Sequence, residues 1–357
     1  MPEEYLYDCW YVAAFGDEVT RAPLRRIILD EPVVLYRKLD GTPTALSDRC
    51  VHRAYPLSLG ELEGDNIVCG YHGFTFDACG TCVWVPGQPT VPKSARVPAY
   101  PIVESGPFVW IWMGDPADAD PQKLPPHPTT TDASWAFVKD KATMKARWAL
   151  LVDNLMDLSH ETFIHGGTIG SPEVAETPLK TETDTPIVRC WRHMENAPVP
   201  PFYQGATGLT ADDTIDRWQD IEYYVPSFYT LHVRVAKHGA GDEDAYFSKV
   251  MYALTPETKR STHDFWVISR NRNLHQPSWR DQAAIAFQNK VFVEDIVALE
   301  ALERNLPDDG HWQELSINID RGGLQWRRIY NQRLGFERQA RERKTRAKVA
   351  EPKASPA

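Results

Sequence analysis

No stretch of this 357-residue chain approaches the roughly 18 consecutive apolar residues that a membrane-spanning helix requires. Basic charge is in deficit as well. Lys and Arg number 39 against 49 Asp and Glu, a formal net charge of −10, and no basic patch marks the folded part as a partner for nucleic acid. The opening Met1-Pro2-Glu3-Glu4 has neither the positive segment nor the apolar run of a secretory signal. Six cysteines are too few, at this length, to read as a disulfide scaffold. No internal repeat is visible. These absences leave a soluble globular protein that meets neither membrane nor nucleic acid, with room for two domains and their cores.

The chemistry is concentrated in residues 50–72, CVHRAYPLSLGELEGDNIVCGYH. Cys50 and His52 form a C-x-H pair and Cys69 and His72 a C-x-x-H pair, separated by sixteen residues that include a Gly-Glu-Leu-Glu-Gly-Asp-Asn turn region. Two occupants suit such a set. Tetrahedral zinc accepts two Cys and two His, whereas a Rieske [2Fe–2S] cluster takes two thiolates on one iron and two imidazoles on the other. One Cys and one His on each of two loops is the distribution a cluster needs, because each loop then gives one ligand to each iron. A zinc finger would place its second pair on a helix, with a longer His spacing. Here that pair runs into Gly73-Phe74-Thr75-Phe76-Asp77, and β-like runs at 43–46 and 67–68 flank the loops. The pattern predicts a Rieske site, with zinc as the alternative and four packed core side chains as the plain reading. Iron–sulfur chemistry favours a reducing compartment, so the expected location is cytoplasmic.

Cys79 and Cys82 form a further C-x-x-C, but no second such pair completes a zinc site, and the run reads as a turn between strands. Cys9 and Cys190 stand alone and read as packing residues.

Residues 8–40 alternate in short β-rich runs bounded by Gly, Pro and Asp, with Asp40-Gly41 as a hairpin signal. Aromatic strands follow at 82–85 and 108–112. An all-β domain is expected over 1–115, and 116–134, rich in Pro, Asp and Thr, reads as a linker. The second domain, 135–340, is expected to be α+β. It opens with a helix over 148–165 that carries Leu151, Leu155, Leu158 and Phe163 at helical spacing. Strands continue through 277, and a long helix is expected over 280–305. Residues 341–357, charged and then Ala/Pro/Ser-rich, read as a fraying helix and a disordered tail.

Within the first of these helices His160-Glu161 invites comparison with HExxH, but that zinc motif needs histidines at i and i+4. The second histidine, His165, is five residues on, so the imidazoles converge only if the helix ends between them, and Gly166-Gly167 supplies a stop. Two such histidines and a distant carboxylate compose the triad of non-haem Fe(II) oxygenases, whose open positions receive O2. Two helix-end histidines without a metal are the alternative. Asp295 is the expected third ligand. At helical spacing it shares a face with Val291, Phe292, Leu299 and Leu302, where an acid is costly unless paired or metal-bound. Its neighbour Glu294 reads as a solvated acid paired with Lys290.

With both sites in view, the chain resembles the Rieske non-haem iron oxygenases, and within them the vanillate O-demethylase oxygenase and dicamba monooxygenase-like group. The likeness runs over about residues 8–335. Besides the ligand loops it rests on Trp10-Tyr11-Val12-Ala13, Val152-Asp153-Asn154-Leu155-Met156-Asp157-Leu158, His160-Glu161-Thr162 and Arg192-His193-Met194-Glu195-Asn196. Further segments are Asp216-Arg217-Trp218-Gln219, Leu254-Thr255-Pro256-Glu257, Ser269-Arg270-Asn271 and Asn318-Ile319-Asp320-x-Gly322-Gly323.

That resemblance implies an N-terminal Rieske [2Fe–2S] domain followed by a helix-grip α+β catalytic domain, a homotrimer, and a separate flavin/[2Fe–2S] reductase delivering electrons from NAD(P)H. The cluster of one subunit would feed the mononuclear Fe(II) of its neighbour. The Asp157 carboxylate would bridge cluster ligand His72 of one chain and iron ligand His160 of the next, and Asn154 would support the iron site. A helix-interior acid with a local hydrogen bond is the plainer reading of Asp157. The chain departs from its relatives after His52-Arg53, carrying Ala54-Tyr55 in place of Gly-Ala. In the strand expected to wall the substrate pocket, His232 and Arg234 share a face. Arg234 reads either as the partner of a substrate carboxylate or as an exposed strand arginine, and Tyr252 is another wall candidate.

The implied activity is that of a terminal oxygenase. With O2 it oxidises the methyl group of a methoxylated, vanillate-like aromatic acid, and the hemiacetal so formed collapses to a phenol and formaldehyde. Methyl or ring hydroxylation of another aromatic, an aryl sulfonate or a heteroaromatic, is the alternative within the class. An electron-transfer Rieske protein without a second iron is the alternative outside it.

Overall fold

Short apolar runs punctuated by Gly, Pro and Asp become the strands of the N-terminal part. In chain order they are β1 (Trp10–Phe15), β2 (Leu24–Ile28), β3 (Glu31–Arg37), β4 (Pro43–Ser47), β5 (Glu61–Glu63), β6 (Asn66–Val68), β7 (Thr75–Phe76), β8 (Cys82–Trp84), β9 (Ala99–Tyr100), β10 (Ile102–Ser105) and β11 (Phe108–Trp112). They pair in three sheets, β1-β11-β10, β2-β3-β4-β9 and β5-β6-β7-β8. Asp40-Gly41 makes the β3–β4 hairpin, Gly41 taking the left-handed φ of 85° that the turn needs. The computed structural model describes residues 2, 4–272, 274–275, 277–307 and 312–350, with side chains through residue 344.

The remainder contains β12 (Ala136–Met144), α1 (Trp148–Met156), α2 (Pro172–Glu176), β13 (Lys180–Asp184), β14 (Ile187–Pro198), α3 (Pro201–Thr207), β15 (Thr214–Tyr224), β16 (Phe228–Lys237), β17 (Tyr246–Thr258), β18 (Ser261–Arg270), α4 (Ser278–Asn305) and α5 (Arg321–Ala350). Seven strands form one antiparallel sheet in the order β12-β18-β17-β16-β15-β14-β13. Against one face lies α4, burying Gln288, Val291, Phe292, Asp295, Leu299 and Glu303 at helical period. This is the expected helix-grip arrangement. Leu302, read as part of that buried stripe, is exposed instead.

The N-terminal part covers the other face. Trp10, Val12, Phe15, Phe108 and Trp110 pack on Phe228, Met251, Phe265 and Val267. Main-chain bonds tie the two together: the amides of Leu29 and Asp30 donate to the carbonyls of Pro256 and Glu257 at 2.9 and 3.0 Å. The stretch 116–134 does not run extended. It coils into three single 3-10 turns, and His127 sits buried between Trp110 and Phe228.

Two expectations need correction. The helix expected over 148–165 stops at Met156. Asp157 leaves helical space (φ −134°, ψ 104°) and its carboxylate accepts from the Ser159 amide, starting a 3-10 turn over Leu158–Thr162. Phe163 lies beyond the helix and is 80% exposed, off the apolar stripe assigned to it. At the other end, α5 continues through Ala350, along the start of the stretch read as a fraying helix and tail, and 351–357 lie outside the described residues. Among the described residues no helix is long and apolar enough to cross a membrane.

Candidate metal centres

The two ligand loops share one backbone plan. In each, the Cys amide donates to the carbonyl five residues on, Cys50 to Tyr55 and Cys69 to Phe74, both at 2.9 Å. The amide four residues on returns a bond to the Cys carbonyl, from Ala54 at 2.8 Å and from Gly73 at 2.9 Å. That fourth residue is left-handed in both loops, Ala54 at φ 54° and Gly73 at φ 73°. Glycine adopts this conformation freely, whereas it costs an alanine roughly 1–2 kcal/mol. The Ala54 departure therefore falls on the one position of its loop where a glycine relieves strain.

Cys50 and Cys69 are buried, while His52 and His72 are exposed with ring centroids 4.7 Å apart. Burial pushes the Cys50 thiol up to about 11, so a cation has to stabilise its thiolate. Sulfur donors at the base and imidazoles at the solvent edge are the two-thiolate, two-imidazole donor set that would hold a [2Fe–2S] cluster. Cys79 and Cys82 stay outside this arrangement. The Asp77 carboxylate accepts from the amides of Cys79 and Thr81, and the buried Cys82 thiol faces the Trp84 carbonyl at 3.3 Å. Cys9 and Cys190 are buried.

The second site forms where the 3-10 turn after α1 meets α4. One donor atom each from His160, His165 and Asp295 lie within 4.8 Å of one another, and no other such group of three occurs among the described residues. Asp295 Oδ1 is 3.1 Å from His165 Nε2 and 3.5 Å from His160 Nε2. Asn154 Nδ2 donates to the same oxygen at 3.2 Å. At the far side of each ring stands an acceptor: the Asp157 carbonyl 2.8 Å from His160 Nδ1, and Glu294 Oε2 2.8 Å from His165 Nδ1. Acceptors at Nδ1 leave Nε2 free for a metal. Burial pulls the His165 pKa down, but the bonds and charges of Asp295 and Glu294 outweigh it and hold it at about 9. Two imidazoles and one carboxylate with open positions are the donor set of non-haem iron.

Glu294 is thus not the solvated partner of Lys290. It also accepts from Thr168 Oγ1 at 3.2 Å, because the chain after the 3-10 turn wraps the flank of α4 next to the sheet-facing side. Buried ties hold α1 in register with its neighbours. Arg147 forms a bidentate pair with Glu303 of α4 at 2.8 Å, and Asp153 accepts from Trp326 of α5 at 2.8 Å.

Asp157 meets His160 through its main-chain carbonyl rather than its carboxylate. The helix break turns the carboxylate to Ser159 (amide 3.0 Å, Oγ 2.7 Å) and to Arg192 Nη2 at 3.3 Å. Asp157 and His160 each keep 17% of their side-chain surface and form part of the wall of a surface groove of about 520 Å³, together with Asn154, Leu302 and Trp312.

His160 and His165 also line a second cavity, walled by α4 and by inward residues of the sheet. Strand alternation sends Tyr229, Leu231 and Val233 of β16 into it, so His232 and Arg234 face outward and do not line it. Arg234 stacks on Trp218 at 3.6 Å and pairs with Asp242. Burial and the nearby Lys249 push the His232 imidazole down to about 4. Tyr252 does line the cavity, its hydroxyl accepting from Gln288 Nε2 at 2.9 Å. Sequence reasoning passed over a buried pair in the same wall, Glu161 and Arg217, joined at 2.8 Å and braced by Gln219. The inward period Ile215, Arg217, Gln219, Ile221 of β15 was the signal that would have found it.

Comparison with known proteins agrees with both sites. Residues 9–101 match the Rieske [2Fe-2S] domain family, and residues 144–334 match the vanillate O-demethylase oxygenase C-terminal domain. The vanillate O-demethylase oxygenase subunit of Pseudomonas sp. (strain HR199 / DSM 7063) is 36% identical over 93% of this chain and 96% of its own length. The dicamba O-demethylase oxygenase component of Stenotrophomonas maltophilia is 34% identical over 84% of this chain and 88% of its own. A crystal structure of dicamba monooxygenase with non-haem iron and dicamba superposes with a TM-score of 0.77 at 30% identity, covering 94% of this chain and 99% of that one. The zinc and electron-transfer readings fall with these matches. The protein is an oxygenase component carrying a Rieske cluster and a mononuclear iron, served by a separate reductase. By sequence over nearly its whole length, by fold and by the two donor sets, the chain belongs to the vanillate O-demethylase oxygenase family of Rieske non-haem iron monooxygenases.

Proposed function

We propose that the chain O-demethylates a methoxylated aromatic acid of the vanillate type, giving the phenol and formaldehyde. One observation carries the reading: His160, His165 and Asp295 all line a largely apolar cavity, and His160 also lines a surface groove. Access to both suits a centre that takes substrate from within and electrons from outside.

In this reading Cys50, His52, Cys69 and His72 hold the [2Fe–2S] cluster, and His160, His165 and Asp295 hold the iron, with Asn154 fixing the Asp295 carboxylate. The iron, when bound, supplies the O2 activation, with electrons that reach it from NAD(P)H by way of a flavin/[2Fe–2S] reductase and the cluster. The chain itself does three things. Leu155, Leu158, Leu231 and Val233 exclude water and hold the ring. The acceptors at the Nδ1 atoms keep both imidazoles in the metal-binding tautomer. Asp157, on the groove wall, receives His72 of a neighbouring subunit in a homotrimer, which shortens the path between the metals. The division is a Rieske domain over 1–115, a connector over 116–134 and a catalytic domain from 135, in a reducing cytoplasm.

Metal and acid-labile sulfide analysis of anaerobically purified protein, with formaldehyde assays on a panel of methoxybenzoates, tests the proposal. About three irons and two sulfides per chain, and formaldehyde matched by phenol, are expected. Two irons that do not increase on adding Fe(II) would remove the oxygenase reading.

A further inference from the structure

The histidines of the two metal sites are oriented by different means. At the iron site each ring has a hydrogen-bond acceptor behind it, the Asp157 carbonyl for His160 and Glu294 Oε2 for His165, both at 2.8 Å. His52 and His72, on the solvent edge of the cluster loops, have no such acceptor among the described residues. An imidazole that holds a metal through one nitrogen can still swing about that bond unless a group outside the ligand set fixes its plane. What stands against these two rings is aromatic.

Five rings make one row: Phe74, His52, His72, Tyr71 and Tyr55. Successive centroids are 4.8, 4.7, 3.8 and 5.5 Å apart. Phe74 lies nearly flat on His52, with 12° between their planes, and Tyr71 leans on His72 at 37°. The row crosses between the loops. Phe74 belongs to the second loop and backs the imidazole of the first, whereas Tyr55 belongs to the first and packs on Tyr71 of the second. Its two ends are equivalent positions. Each is the fifth residue after its cysteine, and each accepts at its carbonyl the 2.9 Å bond from that cysteine's amide. Both are partly buried and pack on the core that contains Cys50 and Cys69. Tyr71, the member between Tyr55 and His72, is 56% exposed, so its ring depends on Tyr55 to stay against the imidazole. Tyr55 is also half of the Ala54-Tyr55 departure, and the alanine expected in its place has no ring to set against Tyr71.

We propose that Tyr55 is a positioning residue for the cluster: from the opposite loop it holds Tyr71 onto His72, which keeps that imidazole in one orientation and ties the two loops together. Aromatic pairs favour such offset and tilted contacts beyond the area they bury. A fixed plane at His72 gives electrons one exit geometry in place of many. The proposal rests on the cluster assignment and is independent of which substrate the iron site takes.

The test uses anaerobically purified holoprotein and two readouts that do not depend on turnover. One is the set of nitrogen hyperfine couplings of the two histidine ligands in the dithionite-reduced protein. The other is the rate at which an iron chelator bleaches the visible bands of the oxidised cluster. Tyr55→Ala should spread the couplings of one histidine, leave those of the other, and speed bleaching at least about threefold, the scale of one lost aromatic pair. Tyr55→Phe, which keeps the ring, should match wild type in both. Tyr55→Leu, which keeps apolar bulk without a ring, should behave as the Ala variant does. Wild-type couplings and bleaching in the Ala variant would overturn the proposal. So would a Leu variant as good as Phe, since filling space would then suffice. Should the Ala variant lose its cluster during purification, the Phe and Leu variants decide by the same two readouts.

Discussion

Removing the Glu294 carboxylate isolates what the flank of α4 contributes to the iron site. Glu294 lies 2.8 Å from His165 Nδ1 and 3.2 Å from Thr168 Oγ1, so it fixes both the ring orientation and the chain that carries it. Losing a carboxylate behind a metal-bound histidine typically weakens metal affinity about 10–100-fold. Glu294 keeps 27% of its side-chain surface, so solvent screens part of its charge and the lower half of that range applies. Glu294→Ala should therefore weaken Fe(II) binding about 10–30-fold, and Glu294→Gln, which retains an oxygen acceptor, less than about tenfold. Equilibrium Fe(II) titration of the iron-depleted protein measures this directly. The visible spectrum of the Rieske cluster is the internal control, since Glu294 lies in the other domain and should leave it unchanged. An Ala variant that binds Fe(II) as tightly as wild type would refute the reasoning, because the 2.8 Å contact would then be incidental.

Three further outcomes follow from the same geometry. Asp157→Asn should leave both metals bound and slow turnover at least about tenfold in a reductase-coupled assay; undiminished turnover would end the bridging role. Ala54→Gly removes left-handed strain of roughly 1–2 kcal/mol against a glycine entropy cost of about 0.5–1 kcal/mol. The melting temperature should rise by about 1–3 °C, and a fall would show that the loop does not store that strain. His165 has its folded pKa raised from 6.5 to about 9, so its stabilising contribution in the iron-free protein is complete below pH 6.5 and lost as pH rises through about 9. Iron has to displace that proton, so Fe(II) affinity should rise about tenfold per pH unit across this window. Competition titrations that show no pH dependence there would count against it.

The ligand loops were legible because their information is local: four donors, two spacings and the turns between them lie within 23 residues of sequence, 50–72. Asp295 was legible for a different reason, since an acid on a buried helical stripe demands a partner wherever it comes from. Glu294 was not. Helical period says which face meets the sheet, but not that a loop 129 residues earlier in the chain wraps the adjacent flank. His232 and Arg234 were placed on one face correctly and on the wrong side of the sheet. In β16 the apolar partners Leu231 and Val233 define the inner face, so the polar members of the alternation belong outside. The same rule, applied to β15, would have placed Arg217 inside despite its charge, because its period matches that of Ile215 and Ile221.

The break at Asp157 is what permits an iron site at all. Five residues of unbroken helix turn through about 500°, which would leave His160 and His165 about 140° apart around one axis and unable to share a metal. Gly166-Gly167 lies too late to prevent that. Asp157 acts earlier, because an aspartate with a serine two residues on captures the Ser159 amide and hydroxyl and competes with the next helical turn. The same capture frees the Asp157 carbonyl to meet His160 Nδ1 at 2.8 Å. It also leaves His160 lining both the cavity and the groove. Asp157 thus contributes through its backbone to shaping the iron site and through its side chain to the face where electrons are proposed to enter. Asn at this position can still accept from Ser159, so the fold survives and only the charge is lost. An alanine there loses the capture as well. Asp157→Ala should therefore lower iron occupancy along with turnover, where Asp157→Asn lowers turnover alone. Equal iron loss in the two variants would mean that the break is set by the glycines after all.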